Sequence, residues 1–241
     1  WMLGTLSHDD GTDVPLGEMP ELERLMLHRL AELDELVRTG YDAFEFKRIT
    51  RALLDFMVVE LSAFYFDIRK DALYCDAPSS LRRRAAVQVV RALFERLVTW
   101  LAPMLPFTME DAWLDRHPGA RSVHLEQFRA TPQEWRDEAL AEKWRKVRQV
   151  RKVVTAALEI ERAHKKIGSS LEAAPAVHIA DPDLFAAVAD VDLAEIAITS
   201  AIEVTARPAP AGAFVLDDVA EVAVVPAPAV GTKCARSWRY T

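Results

Sequence analysis

The clearest candidate for chemistry in this sequence is a basic run, KWRKVRQVRK, at positions 143–152. Its six cations are Lys143, Arg145, Lys146, Arg148, Arg151 and Lys152. Trp144, Val147 and Leu158 recur at helical spacing and predict an apolar stripe, and the cations fall largely outside that stripe. Because few acidic residues lie near them in the sequence, we expect a rigid cationic surface that binds a phosphate backbone. The alternative is an ordinary solvated helix face.

The C-terminal KCARSWRYT is a second candidate for binding. Its cations alternate with Trp238 and Tyr240, whose rings can stack on unpaired bases. Cys234 begins half of a CxxC pair, but Ser237 occupies the second position. A structural zinc site needs four good ligands, so we expect no metal at this tail.

No pattern in the chain predicts a catalytic site. It has no GxGxxG, GxxxxGK[ST], HExxH or GxSxG motif. Its six histidines are not spaced as metal ligands, and no pair of carboxylates stands out for acid–base catalysis. We therefore expect binding rather than catalysis from these 241 residues.

Composition indicates a globular protein with a substantial core. Apolar residues make up 51% of the chain and charged residues 28%. The two cysteines lie far apart in the sequence, which favours a reducing compartment. The chain has no long uncharged apolar run, which predicts no membrane span. We therefore expect a cytoplasmic protein. The net charge of −7 argues against a polyanion partner, but residues 141–170 hold 9 basic and 3 acidic groups between two acidic blocks. The opening Trp1 suggests a fragment of a longer protein.

Residues 16 to about 168 show helical periodicity almost throughout. We expect a first helix that Gly40 ends, and a second that bends or breaks near Leu61–Ser62. Ser79 or Ser80 is expected to cap the third. The predicted ranges are 20–40, 42–73, 80–101, 108–115 and 134–166. Long helices with short connections indicate a helical bundle.

After Gly168 the pattern changes to short β-favouring runs separated by Ala/Asp-rich stretches and prolines. The predicted strands are 176–179, 202–206, 214–216 and 222–225. We therefore predict a mainly α protein, a helical bundle followed by a small α/β C-terminal appendage. The expected domains are 1–135, the bundle, and 136–241, the long helix with the appendage and a short tail.

Several segments together resemble the isoleucyl-tRNA synthetase family, in the order and spacing of the region that follows its catalytic core. They are LSAFYFDIRKDALY at 61–74, SLRRRAAVQVV at 80–90, PMLPFTMEDAW at 103–113 and KKIGSSLEA at 165–173. The opening WMLGTL and the tail KCARSW are also similar to that family. KIGSSLEA distinguishes the family from its valyl and leucyl relatives.

The resemblance implies a part of a class I aminoacyl-tRNA synthetase, which uses ATP and Mg²⁺ to ligate isoleucine to its tRNA. The HIGH and KMSKS motifs and the editing domain of the family are absent here. We therefore expect the C-terminal anticodon-binding portion, inactive without the catalytic core of the same polypeptide, monomeric and without a cofactor of its own. Members with a zinc-binding tail have a cysteine where this chain has Ser237, so zinc is not expected.

The resemblance implies as partner the anticodon stem-loop of the isoleucine tRNA. The basic run, with Lys165 and Lys166, is expected to neutralise phosphates, and Arg236 and Trp238 to contact anticodon bases. A turn at Gly168 would direct the next amides at a phosphate, or simply cap the helix. Two alternatives stand beside this function. One is a valyl- or leucyl-type synthetase, and the other is a helical protein-interaction module without nucleic acid, which the acidic net charge favours.

Overall fold

The computed structural model describes residues 1–241, and the chain divides into two compact units, Trp1–Glu138 and Ala139–Thr241. Helices hold 58% of the residues, and a small four-stranded sheet lies near the C-terminus. This confirms the predicted fold class, mainly α with a small α/β appendage. None of the helices combines the length and the apolar composition that crossing a membrane requires.

The first unit is helical. Its elements are α1 (Met2–Leu6), α2 (Glu21–Asp42), α3 (Phe46–Asp55), a π-helical segment (Phe56–Phe66), α4 (Asp67–Cys75), α5 (Leu81–Leu101) and α6 (Pro106–Arg116). Short 3₁₀ turns at Val123–Leu125 and Gln133–Trp135 interrupt the connection that follows. Leu22, Met26, Leu30 and Val37 of α2 are buried, as the periodicity of the sequence predicts.

One helix end in this unit follows its local sequence signal, and another does not. Ser80 caps α5, since its hydroxyl accepts from the Arg83 N–H at 3.4 Å. The expectation for Gly40 is wrong, because α2 continues through it to Asp42. A Cβ at Gly40 would lie 2.7 Å from Cγ1 of Ile49, so glycine is needed there for the close approach of α3.

The second predicted helix does not break. It runs from Phe46 to Cys75 as α3, the π-helical segment and α4 without interruption. The irregularity predicted at Leu61–Ser62 falls inside the π-helical segment, where each amide bonds one residue further back than in an α-helix. The wider turn accommodates a stretch in which Phe56, Leu61, Phe64 and Tyr65 are all buried.

A buried polar network joins α2 to this helix. Nε and one terminal nitrogen of Arg69 donate to the two carboxylate oxygens of Glu23 at 2.6 and 2.7 Å, and the Tyr65 hydroxyl donates to the same carboxylate at 3.0 Å. All three side chains are buried. Burial, and then the Glu23 charge, raise the pKa of Tyr65 well above its ordinary value, so its hydroxyl stays protonated as a donor.

The second unit contains most of α7 (Glu138–Ala163) and a small α/β layer. Its other elements are β1 (Ala176–Ile179), α8 (Pro182–Val188), α9 (Leu193–Ala197), β2 (Glu203–Thr205), β3 (Phe214–Leu216) and β4 (Val219–Val225). The strand order is β2-β1-β4-β3, with β1 parallel to β2 and antiparallel to β4. The buried residues Trp144, Val147, Val150, Val154 and Leu158 of α7 confirm the predicted apolar stripe.

Candidate nucleic-acid interface

The basic run lies on α7, as predicted, but the fold gives three of its lysines acidic partners. Lys143 bonds Asp190 at 2.8 Å, and Lys146 lies 3.4 Å from Asp183. Lys152 pairs with Asp218. These carboxylates lie 37 to 66 residues further along the chain, so the expectation of cations with few acidic partners is wrong.

The arginines of the run are also engaged. Arg145 pairs with Glu142 one turn earlier on α7, at 2.6 Å. Arg151 donates Nε to the carbonyl of Ile196 at 2.8 Å, which ties α7 to the end of α9. Arg148 is half-buried and has contacts of its own. The surface therefore carries cations and carboxylates side by side.

The three lysine pairs are weak, because their carboxylates are exposed. The side chains of Asp183, Asp190 and Asp218 are 79%, 69% and 61% exposed. Exposed pairs contribute little to stability because water and salt screen them. The bonded lysines lower the pKa of Asp190 and of Asp218, so both stay ionised at neutral pH. An incoming phosphate can therefore replace a carboxylate at modest cost.

The segment after α7 differs from the prediction. The helix ends at Ala163, and the residue in the left-handed conformation is Lys165 (φ +58°) rather than Gly168. Lys165 is exposed, and Lys166 bonds Glu161 at 3.0 Å. The Gly168 amide donates to Glu172 at 2.8 Å, and this bond lowers the pKa of that carboxyl. Gly168 is therefore not the cap of α7, and its amide already donates a hydrogen bond to the carboxylate of Glu172.

The C-terminal tail folds back on itself. Thr232 and Thr241 exchange backbone hydrogen bonds at 2.9 and 3.2 Å, with a turn between them. Trp238 adopts φ +61° and is 62% exposed, and the ammonium of Lys233 lies 6.0 Å from its ring centroid. Lys233 also lies 3.6 Å from Glu172, so the structure brings the tail beside the segment after α7. The ring of Trp238 is thus available for stacking.

The donor set at the tail does not suit zinc. Cys234 is the one thiol there, and Ser237 bonds its sulfur instead of supplying a second thiolate. The set of His, Cys, Asp and Glu side chains close enough to share an ion lies elsewhere, at His28, Glu32 and Glu138. There Nδ1 of His28 accepts a hydrogen bond from the Asp137 N–H at 2.9 Å. In the neutral ring Nε2 therefore carries the proton, so neither ring nitrogen offers a free lone pair to a metal ion.

Cys234 gives a direct test of the tail's geometry. Hydrogen bonds from the Ser237 hydroxyl, and then from the Ser237 and Arg236 amides, lower the pKa of the Cys234 thiol to about 7. Because these donors stabilise the thiolate, we expect alkylation by iodoacetamide to rise with pH around a midpoint of about 7. Ser237→Ala is expected to move that midpoint upward. Site-resolved mass spectrometry measures both, and an unchanged midpoint in Ser237→Ala would contradict the assigned hydrogen bond.

Comparison with known proteins places the chain in a family. The family model for the anticodon-binding domain of tRNA ligase matches residues 23–178, more than half of the chain. The chain is 74% identical to isoleucine–tRNA ligase of Mesorhizobium japonicum, 71% to that of Brucella abortus and 64% to that of Bartonella henselae. Each match covers 100% of this chain and 25% of the relative, so the chain spans a quarter of their length. The chain therefore belongs to the family of tRNA-ligase anticodon-binding domains and is similar along its whole length to isoleucine–tRNA ligases.

Proposed function

We propose that this chain is the part of an isoleucine–tRNA ligase that binds the anticodon stem-loop of isoleucine tRNA. The observation that carries the proposal is the 74% identity to such a ligase over the entire chain, together with the anticodon-binding family match. The complete ligase would use ATP and Mg²⁺ to join isoleucine to its tRNA. The chain alone would be inactive, because it contains none of the catalytic motifs.

Within this function, the α7 cations would contact phosphates of the stem, with Lys165 and Lys166 beyond the end of the helix. Phosphate contacts position the RNA without reading its sequence. The exposed ring of Trp238 would stack on an unpaired base, and Arg236 in the same turn would add a guanidinium. We further propose a cytoplasmic, monomeric protein in which the tail functions without zinc.

The test is a titration of a fluorescent anticodon stem-loop with this chain at several salt concentrations. If four to six cations contact phosphates, log K is expected to fall with log salt with a slope of about −3 to −5. The isoleucine stem-loop is expected to bind roughly tenfold or more tightly than the valine stem-loop, since one wrong base costs about 1–3 kcal/mol. Absence of binding at low salt would overturn the proposal and favour a protein-interaction module. Equal affinity for both stem-loops would contradict the isoleucine assignment.

A further inference from the structure

One acidic side chain, Glu172, lies among the cations of two neighbouring segments of the second unit. These segments are residues 164–173, which follow α7, and the tail, residues 232–241. Together they carry five lysines and arginines, namely Lys165, Lys166, Lys233, Arg236 and Arg239. A carboxylate on a surface that binds RNA weakens binding, because it repels phosphates and attracts the cations that would contact them. The contacts of Glu172 within the protein show another role.

The Glu172 carboxylate contacts both segments at once. Its Oε2 accepts a hydrogen bond from the Gly168 N–H at 2.8 Å, and its Oε1 lies 3.6 Å from the ammonium of Lys233. The Gly168 bond, and then the Lys233 charge, lower the pKa of Glu172, so the carboxylate is ionised at neutral pH. The same ammonium lies 6.0 Å from the ring centroid of Trp238. Glu172 is therefore connected, through Lys233, to the exposed ring of the tail.

Backbone hydrogen bonds place the two ends of the tail beside residues 171–173. The Ala229 N–H, just before the tail, donates to the Glu172 carbonyl at 2.8 Å. The Ser200 hydroxyl donates to the Leu171 carbonyl at 2.5 Å and accepts from the Tyr240 N–H at 2.7 Å. The beginning and the end of the tail are thus anchored independently of the Glu172 side chain.

The turn that carries Trp238 has hydrogen bonds of its own. The Trp238 N–H donates to the Cys234 carbonyl at 2.9 Å, and the Cys234 N–H donates to the Arg239 carbonyl at 2.8 Å. Both bonds lie within the tail. Loss of the Glu172 carboxylate is therefore expected to leave the shape of this turn intact and to change its position relative to residues 164–173.

We propose that Glu172 is a positioning residue for RNA binding, which holds Lys233 and the turn of Trp238 against residues 164–173 so that the two segments form one surface for the anticodon stem-loop. This inference rests on the proposed function, because the stem-loop is the ligand. It predicts an effect of unusual sign. By charge alone, neutralising Glu172 would strengthen binding of a polyanion. If Glu172 positions the tail, neutralising it weakens binding.

The experiment measures binding of a fluorescent isoleucine stem-loop by anisotropy at one low salt concentration. Glu172→Ala is expected to weaken binding about fivefold or more, since this is the smallest effect typical of losing one base–aromatic stack. Glu172→Gln keeps an oxygen for the Gly168 amide but loses the charge that attracts Lys233, so its affinity is expected to lie between the two. Glu203→Gln is the matched control, because it makes the same charge change at an exposed position of β2. It is expected to bind no more weakly than the unaltered chain.

Two further measurements separate positioning from a merely structural role. In a Trp238→Ala background, Glu172→Ala is expected to cost less than about twofold, because the ring that it positions is already absent. The alkylation midpoint of Cys234, about 7, is expected to stay unchanged in Glu172→Ala, because the hydrogen bonds that set it come from Ser237 and Arg236 inside the turn.

The outcomes distinguish this inference from the proposed function. Equal or tighter binding by Glu172→Ala overturns the inference, even where weaker binding by Trp238→Ala supports the proposed function. Fully additive losses in the double variant also overturn it, because Glu172 would then act apart from Trp238. A shifted Cys234 midpoint in Glu172→Ala overturns it as well, since the turn would have lost its shape. Absence of binding by the unaltered chain overturns both the proposed function and this inference.

Discussion

Replacing Glu23 by alanine is expected to lower the free energy of unfolding of the Trp1–Glu138 unit by about 3–5 kcal/mol. The loss comes from what the substitution leaves behind. Arg69 is 2% exposed and would keep its charge in the core after losing the carboxylate that two of its nitrogens bond. The Tyr65 hydroxyl would lose its acceptor in the same step. Chemical denaturation followed by circular dichroism measures the change.

The geometry of the Glu23–Arg69 pair supports a large loss of unfolding free energy for a single substitution. Arg69 bonds both oxygens of Glu23 at 2.6 and 2.7 Å, which is the two-pronged arrangement that guanidinium and carboxylate favour. Tyr65→Phe removes one hydrogen bond but leaves Glu23 bonded to Arg69, and is therefore expected to cost only about 1 kcal/mol. The difference between the two variants separates the buried charge from the hydroxyl.

Two controls make this result interpretable. The double variant Glu23→Leu with Arg69→Met replaces the pair by apolar side chains and is expected to recover most of the loss, since no charge is then left buried. Glu45→Ala removes an exposed carboxylate from its bond to Arg48 and is expected to cost less than about 1 kcal/mol. A loss below about 1 kcal/mol for Glu23→Ala would contradict the view that Glu23 is the main stabiliser of the buried Arg69 charge.

The helices were predictable because their determinants are local. Periodic apolar residues and the cap at Ser80 lie within a few residues of the structure that they specify. The prediction for Gly40 is wrong for the opposite reason. Its role depends on Ile49 of α3, whose side chain packs where a Cβ would be, and a glycine in a helical pattern does not reveal such a contact. The network of Glu23, Tyr65 and Arg69 is equally invisible locally, since its partners are 42 and 46 residues apart.

At the candidate interface, too, the local features were predictable from the sequence and the contacts between distant residues were not. The positions of the cations on α7 follow from helical spacing, and so does the buried stripe beneath them. Their partners follow from the tertiary fold, which brings the α8 residue Asp183 and the β-turn residue Asp218 to lysines of α7. The strands were recognisable from composition, but the order β2-β1-β4-β3 depends on pairing between distant segments. Charge counted along a sequence therefore overstates the unpaired charge of a folded surface.

Reversing two cations of α7 is expected to weaken binding of the isoleucine stem-loop by on the order of 100-fold, in the variant Lys146→Glu with Arg148→Glu. Each lost phosphate contact should also reduce the magnitude of the slope of log K against log salt by about one. The double variant is therefore expected to have a slope about two units shallower. Lys146 gives up only a pair with the exposed carboxylate of Asp183, so its reversal is expected to leave helicity unchanged, and circular dichroism checks that the half-buried Arg148 can also be reversed without loss of helix. Anisotropy titrations at several salt concentrations measure both effects.

A matched charge control is available on the first unit. Lys47→Glu with Arg51→Glu makes the same change in net charge at two exposed positions of α3. If the α7 surface binds the RNA, this control is expected to weaken binding far less than the α7 variant. Equal loss in both variants would mean that general attraction, rather than contact at α7, drives binding. Full affinity in the α7 variant would remove this surface from the interface.

The carboxylates on the α7 surface allow a test with the opposite sign. Asp183→Asn with Asp190→Asn removes competitors of the phosphate at Lys146 and Lys143. If those lysines contact RNA, the neutralised variant is expected to bind the stem-loop several-fold more tightly. Its salt dependence is expected to be steeper, because no carboxylate freed from a lysine then takes up some of the cations that the RNA releases. Tighter binding here and weaker binding after reversal of Lys146 and Arg148 would together locate the contact. An unchanged affinity in the neutralised variant would instead indicate that these ion pairs face solvent in the complex.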